Sequence, residues 1–226
     1  MRSCLLSLLY VIPLFSISQN ILIKDLDSLY REDQIYFGFS YNSLTTVPEA
    51  FVQTNFSPGF TIGAIRDFPI NSKRNIALGI GLGYALNIYA QNLKISTDIN
   101  NVFNYELQSD QNYKKNRFSF HAIEIPFEFR WRTSNAQTHK FWRIYTGFKA
   151  SYIFSSSSFY QFENQTIKEK NLELSSWQYG LTLSAGYNNW NAFIYYGLNP
   201  IFDDVVVNQS VLNIKTIKVG LIFYIL

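Results

Sequence analysis

Cysteine is nearly absent from these 226 residues. The one present, Cys4, lies in the opening stretch MRSCLLSLLYVIPLFSISQN, ahead of an apolar run from Leu5 to Ile17. One positive charge (Arg2), that run, and small residues Ser16 and Ser18 before Gln19 make a secretory leader over residues 1–18, too short for a stop-transfer helix. A lipid-modified cysteine would need to follow the apolar run, and Cys4 precedes it. Cleavage after Ser18 leaves no thiol, so disulfides and cysteine catalysis are excluded from the exported chain.

Histidine is almost as scarce, with only His121 and His139. Metal sites gather several His, Cys or carboxylates, and none cluster here, so neither a metal nor a cofactor is expected. Clustered positive charge is missing too. The net charge is +3 with the basic residues scattered, which argues against a nucleic-acid surface. Long apolar helices are lacking. One charge-free segment after the leader, between Arg74 and Lys94, contains ALGIGLGYALNIY with glycines at 79, 81 and 83. A dinucleotide loop needs G-x-G-x-x-G opening a helix, but here Tyr84 occupies the third glycine position and no helix pattern follows.

What the chain does have is aromatic residues, 18% of the total with 20 Phe and 16 Tyr, and a period of two. Ile76, Leu78, Ile80, Leu82, Tyr84, Leu86 and Ile88 alternate with Ala77, Gly79, Gly81, Gly83, Ala85 and Asn87. A helix would scatter both sets around its axis, so this is a strand. The same alternation runs through Ile35–Asn42, Gly59–Phe68 (blurred at Ile65 and Arg66), Ile123–Arg132, Trp142–Phe154, Trp177–Tyr187, Asn191–Leu198 and Thr216–Ile225. That makes eight strands. Short connections at 69–75, 133–140 and 188–191 alternate with long polar ones at 43–57, 89–116, 155–172 and 199–212. Short turns at one end and long loops at the other describe an outer-membrane barrel, with both termini on the periplasmic side.

Alternation alone does not say whether the apolar face meets a core or lipid. The apolar faces carry almost no charge and end in aromatics such as Trp131, Trp142 and Tyr187, whereas a soluble secreted barrel would turn them inward. Thirteen residues at ~3.3 Å each, tilted by ~40°, reach roughly 30 Å, enough to cross the hydrocarbon layer. The opposite faces mix small residues, among them Gly79, Gly81 and Gly83, with Glu124, Glu128, Arg130, Arg132, Arg143, Lys149 and Lys218. Such charges fit a salt-bridge network inside a narrow barrel, with the glycines leaving room for charges from strands across the lumen. Glu124 and Glu128 have basic neighbours, which keep both ionised and speak against acid–base work. A barrel enzyme would need His121 joined at the loop rim by groups such as Asp98, Asp110 or Ser119, and nothing in the pattern singles these out.

The last strand, KVGLIFYIL, carries Gly220, Phe223 and Ile225 in the arrangement polar-x-Gly-x-x-apolar-x-apolar, similar to the assembly signal of outer-membrane barrels. The composite strand motifs EDQIYFGFSYN (32–42), NFSPGFTIGAIRDFPINSKRNIALGIGLGYALNIY (55–89), IEIPFEFRWRTS (123–134), KFWRIYTGFKASYIFS (140–155) and YGLTLSAGYNNWNAFIYYGLNPIF (179–202) resemble PorT-like outer-membrane proteins. That resemblance covers nearly the whole exported chain, with 90–116 matched least, and it supplies no catalytic residues. It implies a barrel associated with type IX secretion and gliding, needed to deliver cargo proteins to the cell surface.

The expected organisation is therefore a leader (1–18), a short periplasmic segment (19–33, with room for one helical turn) and an eight-stranded antiparallel transmembrane up-and-down β-barrel (34–226). The expected role is non-enzymatic, as an accessory part of a secretion system. Its expected surroundings are outer-membrane lipid and other secretion proteins, without nucleic acid or cofactor, and the sequence is silent on oligomeric state. A small porin or ligand-binding barrel, and a barrel enzyme, are the alternatives.

Overall fold

The period-two segments form strands because β-branched and aromatic residues occupy one face and small or polar residues the other. The computed structural model describes residues 33–108, 113–133, 142–207 and 209–225. The expected leader with Cys4, the lead-in up to residue 32, Asp110 and His139 lie outside the described residues.

In chain order, β1 (Gln34–Thr45), β2 (Pro58–Pro69) and β3 (Ile76–Ala90) make an antiparallel meander. A small hairpin of β4 (Leu93–Thr97) and β5 (Phe103–Leu107) follows, then β6 (Lys115–Arg132) pairs with β3. The longest strand, β7 (Trp142–Phe162), pairs with β6 and runs on into a hairpin with β8 (Gln165–Lys170). Next come β9 (Trp177–Tyr187) and β10 (Trp190–Gly197), a two-residue ribbon of β11 (Val206–Val207) and β12 (Ser210–Val211), and β13 (Lys215–Ile225). The final strand pairs with both β10 and β1, and β6 with β7, so eight long strands close on themselves. Closure removes the unpaired edges that a flat sheet would expose.

Every barrel strand alternates as its sequence does. On β1, Ile35, Phe37, Phe39 and Tyr41 face out while Tyr36, Ser40 and Asn42 are buried inside. The blurred pair in β2 has a simple resolution: Ile65 takes an inward place, and Arg66 faces out, paired with the exposed Asp33. A bulge at Phe154 restarts the β6–β7 register, with Ala122 opposite Ile153 and His121 opposite Ser155. Pro126 brings no N–H, and the β3–β6 ladder is interrupted beside it, opposite Gly81 and Leu82. At one end the connections are short. β9 and β10 are joined by Asn188 and Asn189, with Asn188 at φ 55°, a conformation that asparagine tolerates.

The four long connections gather at the other end, where they depart from the expected polar loops. Leu93, Ile95, Leu172, Leu174, Ile201, Phe202, Val205, Val207, Leu212 and Ile214 are buried together with Tyr89, Phe118 and Phe120 from the barrel. The loops thus share an apolar core laid over the barrel mouth. Apolar residues spread unevenly over four separate connections carry no shared periodicity, so only the closed barrel brings them into one cluster.

Candidate functional site

The lumen is the first place where a barrel could work, and buried charged and aromatic side chains occupy it. Near the short turns, Asp67 accepts hydrogen bonds from both Arg130 and Arg132, while Arg130 also donates to Glu128 at 3.0 Å. These side chains are inaccessible, at 0% exposure for Asp67 and Arg130 and 1% for Arg132. Aromatic rings pack against the cations. Arg130 stands 4.1 Å over the Tyr145 ring and 5.2 Å from that of Tyr224, and Arg143 lies 5.8 Å from the latter. Rings that accept cation faces, with carboxylates accepting the N–H groups, offset the cost of burying guanidinium groups.

Above this layer Tyr36, Ile65, Phe193, Tyr195 and Ile222 make an apolar plug. A second charged group follows, in which the Glu124 carboxylate accepts from Lys149 at 2.8 Å and from Thr61 at 3.0 Å. Lys218 stands 4.8 Å over the Tyr195 ring. The free space among Ser40, Thr61, Asn87, Glu124, Lys149 and Lys218 is about 10 Å³. That is at the threshold for one water molecule.

The residues expected to form a single interior network therefore divide into two groups, Glu128, Arg130, Arg132 and Arg143 below, and Glu124, Lys149 and Lys218 above. Asp67 was the interior residue that sequence reasoning passed over as a site, although its place on the inward face of β2 was visible in the alternation. Gly79, Gly81 and Gly83 face inward as expected, but the space they leave goes to near neighbours rather than to charges from across the lumen. A Cβ on Gly79 would meet Arg130 of the adjoining strand at 2.9 Å, one on Gly81 would meet Ile65 at 2.5 Å, and one on Gly83 would overlap the Tyr36 hydroxyl. In the last strand Gly220 faces inward opposite Ser40 and Phe193, Phe223 packs edge-on against Trp190 at 4.4 Å, and Ile225 is exposed on the outer wall.

The outer wall is a second place to look. Between the ends it exposes Ile, Leu, Phe and Val, and a groove of about 610 Å³ opens over Ala64 between Ile35, Ile80 and Leu82. Aromatics ring both ends: Trp131, Trp142, Tyr187 and Trp190 by the short turns, and Tyr41, Tyr84, Tyr152, Trp177 and Tyr179 by the loops. Two such girdles flanking an apolar band are the mark of a barrel in a bilayer. Among the described residues no helix is long and apolar enough to cross a membrane, and no group of three or more His, Cys, Asp or Glu could hold a metal. His121 stands in the upper girdle with its Nδ1 2.6 Å from the Tyr84 hydroxyl. Ser119, one step higher on the same face, meets the Ser157 hydroxyl at 3.2 Å. Asp98 is tied up in its own loop, accepting from the backbone N–H groups of Asn100 and Val102.

The sequence profile of the outer membrane protein beta-barrel domain matches residues 18–203. The chain belongs to that family. It is an outer-membrane barrel, its short turns periplasmic and its long loops extracellular. A comparison with curated proteins returns no match. Solved chains similar to this one include one described as "Asymmetric conductivity of engineered proteins", at 8% identity and a TM-score of 0.22. A five-substitution mutant and a triple mutant of Rhodopseudomonas blastica porin are each similar at 9% identity and a TM-score of 0.22. Each comparison covers 87% of this chain and 100% of the other. Likenesses at that TM-score carry no argument.

Proposed function

We propose that this outer-membrane barrel is a non-enzymatic accessory component of a protein-secretion system of the type IX kind, in the PorT-like branch of its family. The observation that carries the reading is the obstructed lumen. Two charged layers, an aromatic plug and an apolar loop core occupy the interior, which supports a role other than the passage of folded cargo. On this reading the barrel works through its surfaces, by binding other components at its rims and loops. The resemblance of the strand motifs to PorT-like proteins is what supports secretion components as the partners.

Deletion of the gene tests this reading. Cargo proteins carrying the C-terminal secretion signal should accumulate in the periplasm, and the barrel, purified gently from outer membranes, should bring secretion components with it. Normal secretion together with a barrel purified alone would overturn the proposal. Steady conductance in planar bilayers would instead favour a small porin. Loss of a lipid or peptide conversion on replacing His121 would favour an enzyme.

A further inference from the structure

Above the extracellular girdle, β6, β7 and β8 continue as a three-stranded sheet whose outward strand positions, among the described residues, carry positive charge and no acid. The rows are set by register. Arg117 lies opposite Phe159, which lies opposite Lys168; one step nearer the membrane, Ser119 lies opposite Ser157, which lies opposite Lys170. One step further out, Lys115 lies opposite Gln161 and Thr166. The Arg117 guanidinium and the Lys168 ammonium each stand 5.6 Å over the Phe159 ring, from either side. Serine hydroxyls floor a cleft of about 220 Å³ between them.

Among the described residues, the one carboxylate bordering the cleft, Glu169, alternates to the opposite face and accepts from the backbone N–H and hydroxyl of Thr97 at 3.1 and 3.0 Å. None of Lys115, Arg117, Lys168 and Lys170 has an ion pair among the described residues. Other cations are paired, Arg66 with Asp33, Lys94 with Glu106, Arg130 and Arg132 with Asp67, Lys149 with Glu124, and the described ones without an ion pair, such as Lys73 and Lys215, are not gathered four to a face. Four uncompensated cations on one face repel one another, and that repulsion is relieved by an anion.

Height selects the anion. Below Ser119 the next outward residue is His121, already in the girdle with Tyr84 and Phe154. Arg117 is four residues above His121, about 13 Å along the strand at ~3.3 Å per residue, and less along the membrane normal once the strand tilt is allowed for. The Ser119–Ser157–Lys170 row, about half that distance up, is at the depth of lipid headgroups, and the Arg117–Phe159–Lys168 row is at their outer edge. We infer that this face binds the phosphate groups of an outer-leaflet phosphorylated glycolipid, Arg117 gripping a phosphate as a planar fork, Lys168 and Lys170 adding point charge, and the Ser119 and Ser157 hydroxyls donating hydrogen bonds.

The test uses the exported chain in detergent micelles and native mass spectrometry, with bisphosphorylated lipid A as the probe and its dephosphorylated form as the control. The wild-type barrel should retain the bisphosphorylated lipid and lose it as salt is raised. The triple variant Arg117→Gln, Lys168→Gln, Lys170→Gln should bind it roughly a hundredfold more weakly, a factor of about five for each cation lost. Lys73→Gln, in a periplasmic turn, should bind as the wild type does. Equal retention of both lipid forms, or unchanged affinity in the triple variant, would overturn the inference. So would binding of an acidic peptide at this face in place of the lipid. If the triple variant fails to fold, judged by its heat-dependent gel shift, the two lipid forms and the salt titration on the wild type decide alone.

Discussion

Single side chains inside this barrel matter because nothing beside them can be rehydrated. Asp67 is shared by Arg130 and Arg132, so its removal takes a carboxylate from two buried guanidinium groups at once. Asp67→Ala should cost about 3–5 kcal/mol, the usual penalty for breaking a buried pair, read from urea unfolding of the barrel in lipid vesicles. A loss under about 1 kcal/mol would mean that water reaches the site. Gly83 makes a sterically sharper case. A methyl group there overlaps the Tyr36 hydroxyl, so Gly83→Ala should destabilise the barrel and Tyr36→Phe should recover part of the loss. A double-mutant cycle measures the coupling, and strictly additive effects would show that the two positions do not meet.

At the scale of elements, the loops and the closing strand make separate claims. The loop core is built from residues of all four extracellular connections, and Phe202 sits in it with its ring edge-on to Phe118 at 5.3 Å. Phe202→Ala should cost the loop assembly about 3–5 kcal/mol. Limited proteolysis should then cut residues 91–108 and 198–214 faster while the heat-dependent gel shift of the barrel persists. Loss of that shift would show that the barrel leans on its loops for stability. The last strand has two duties, packing and the expected assembly signal. Phe223→Ala removes an edge-on partner of Trp190 and should lower stability by roughly 1–3 kcal/mol. If the strand also serves as a signal, the amount assembled in cells should fall much further than spontaneous refolding into vesicles does. Parallel falls in the two would leave packing as its only role.

For the whole molecule, closure decides what the protein can do. An eight-stranded barrel has an interior just wide enough for its own side chains, and here the remaining space in the upper charged layer is about 10 Å³. Reconstituted into planar bilayers it should show no steady single-channel conductance, with or without the extracellular loops, because the interior layers lie below them. Conductance that appears only after the loops are removed would place the whole seal in the cap.

Much of this was legible in the sequence because strand alternation is local. Two faces, their chemistry and the eight strands follow from a period of two that each segment shows by itself, and the aromatic ends of the apolar faces point to a bilayer. The inward place of Glu124, Glu128, Arg130, Arg132, Arg143, Lys149 and Lys218 could be read in the same way. Which of those charges meet could not be read, because partners such as Asp67 and Arg130 sit on strands joined only through β3 and come within reach only when the sheet curls. The apolar loop core had no local signature, its members being spread over four connections without a period: Phe51 in the first, two residues each in the second and third, and six in the last. The basic face above the girdle was hidden in the same manner, with Lys115 and Arg117 on one strand and Lys168 and Lys170 some fifty residues later. Local periodicity determined the strands and their faces, and closure of the barrel decided the neighbours, since contacts between distant segments depend on register and curvature that no single segment encodes.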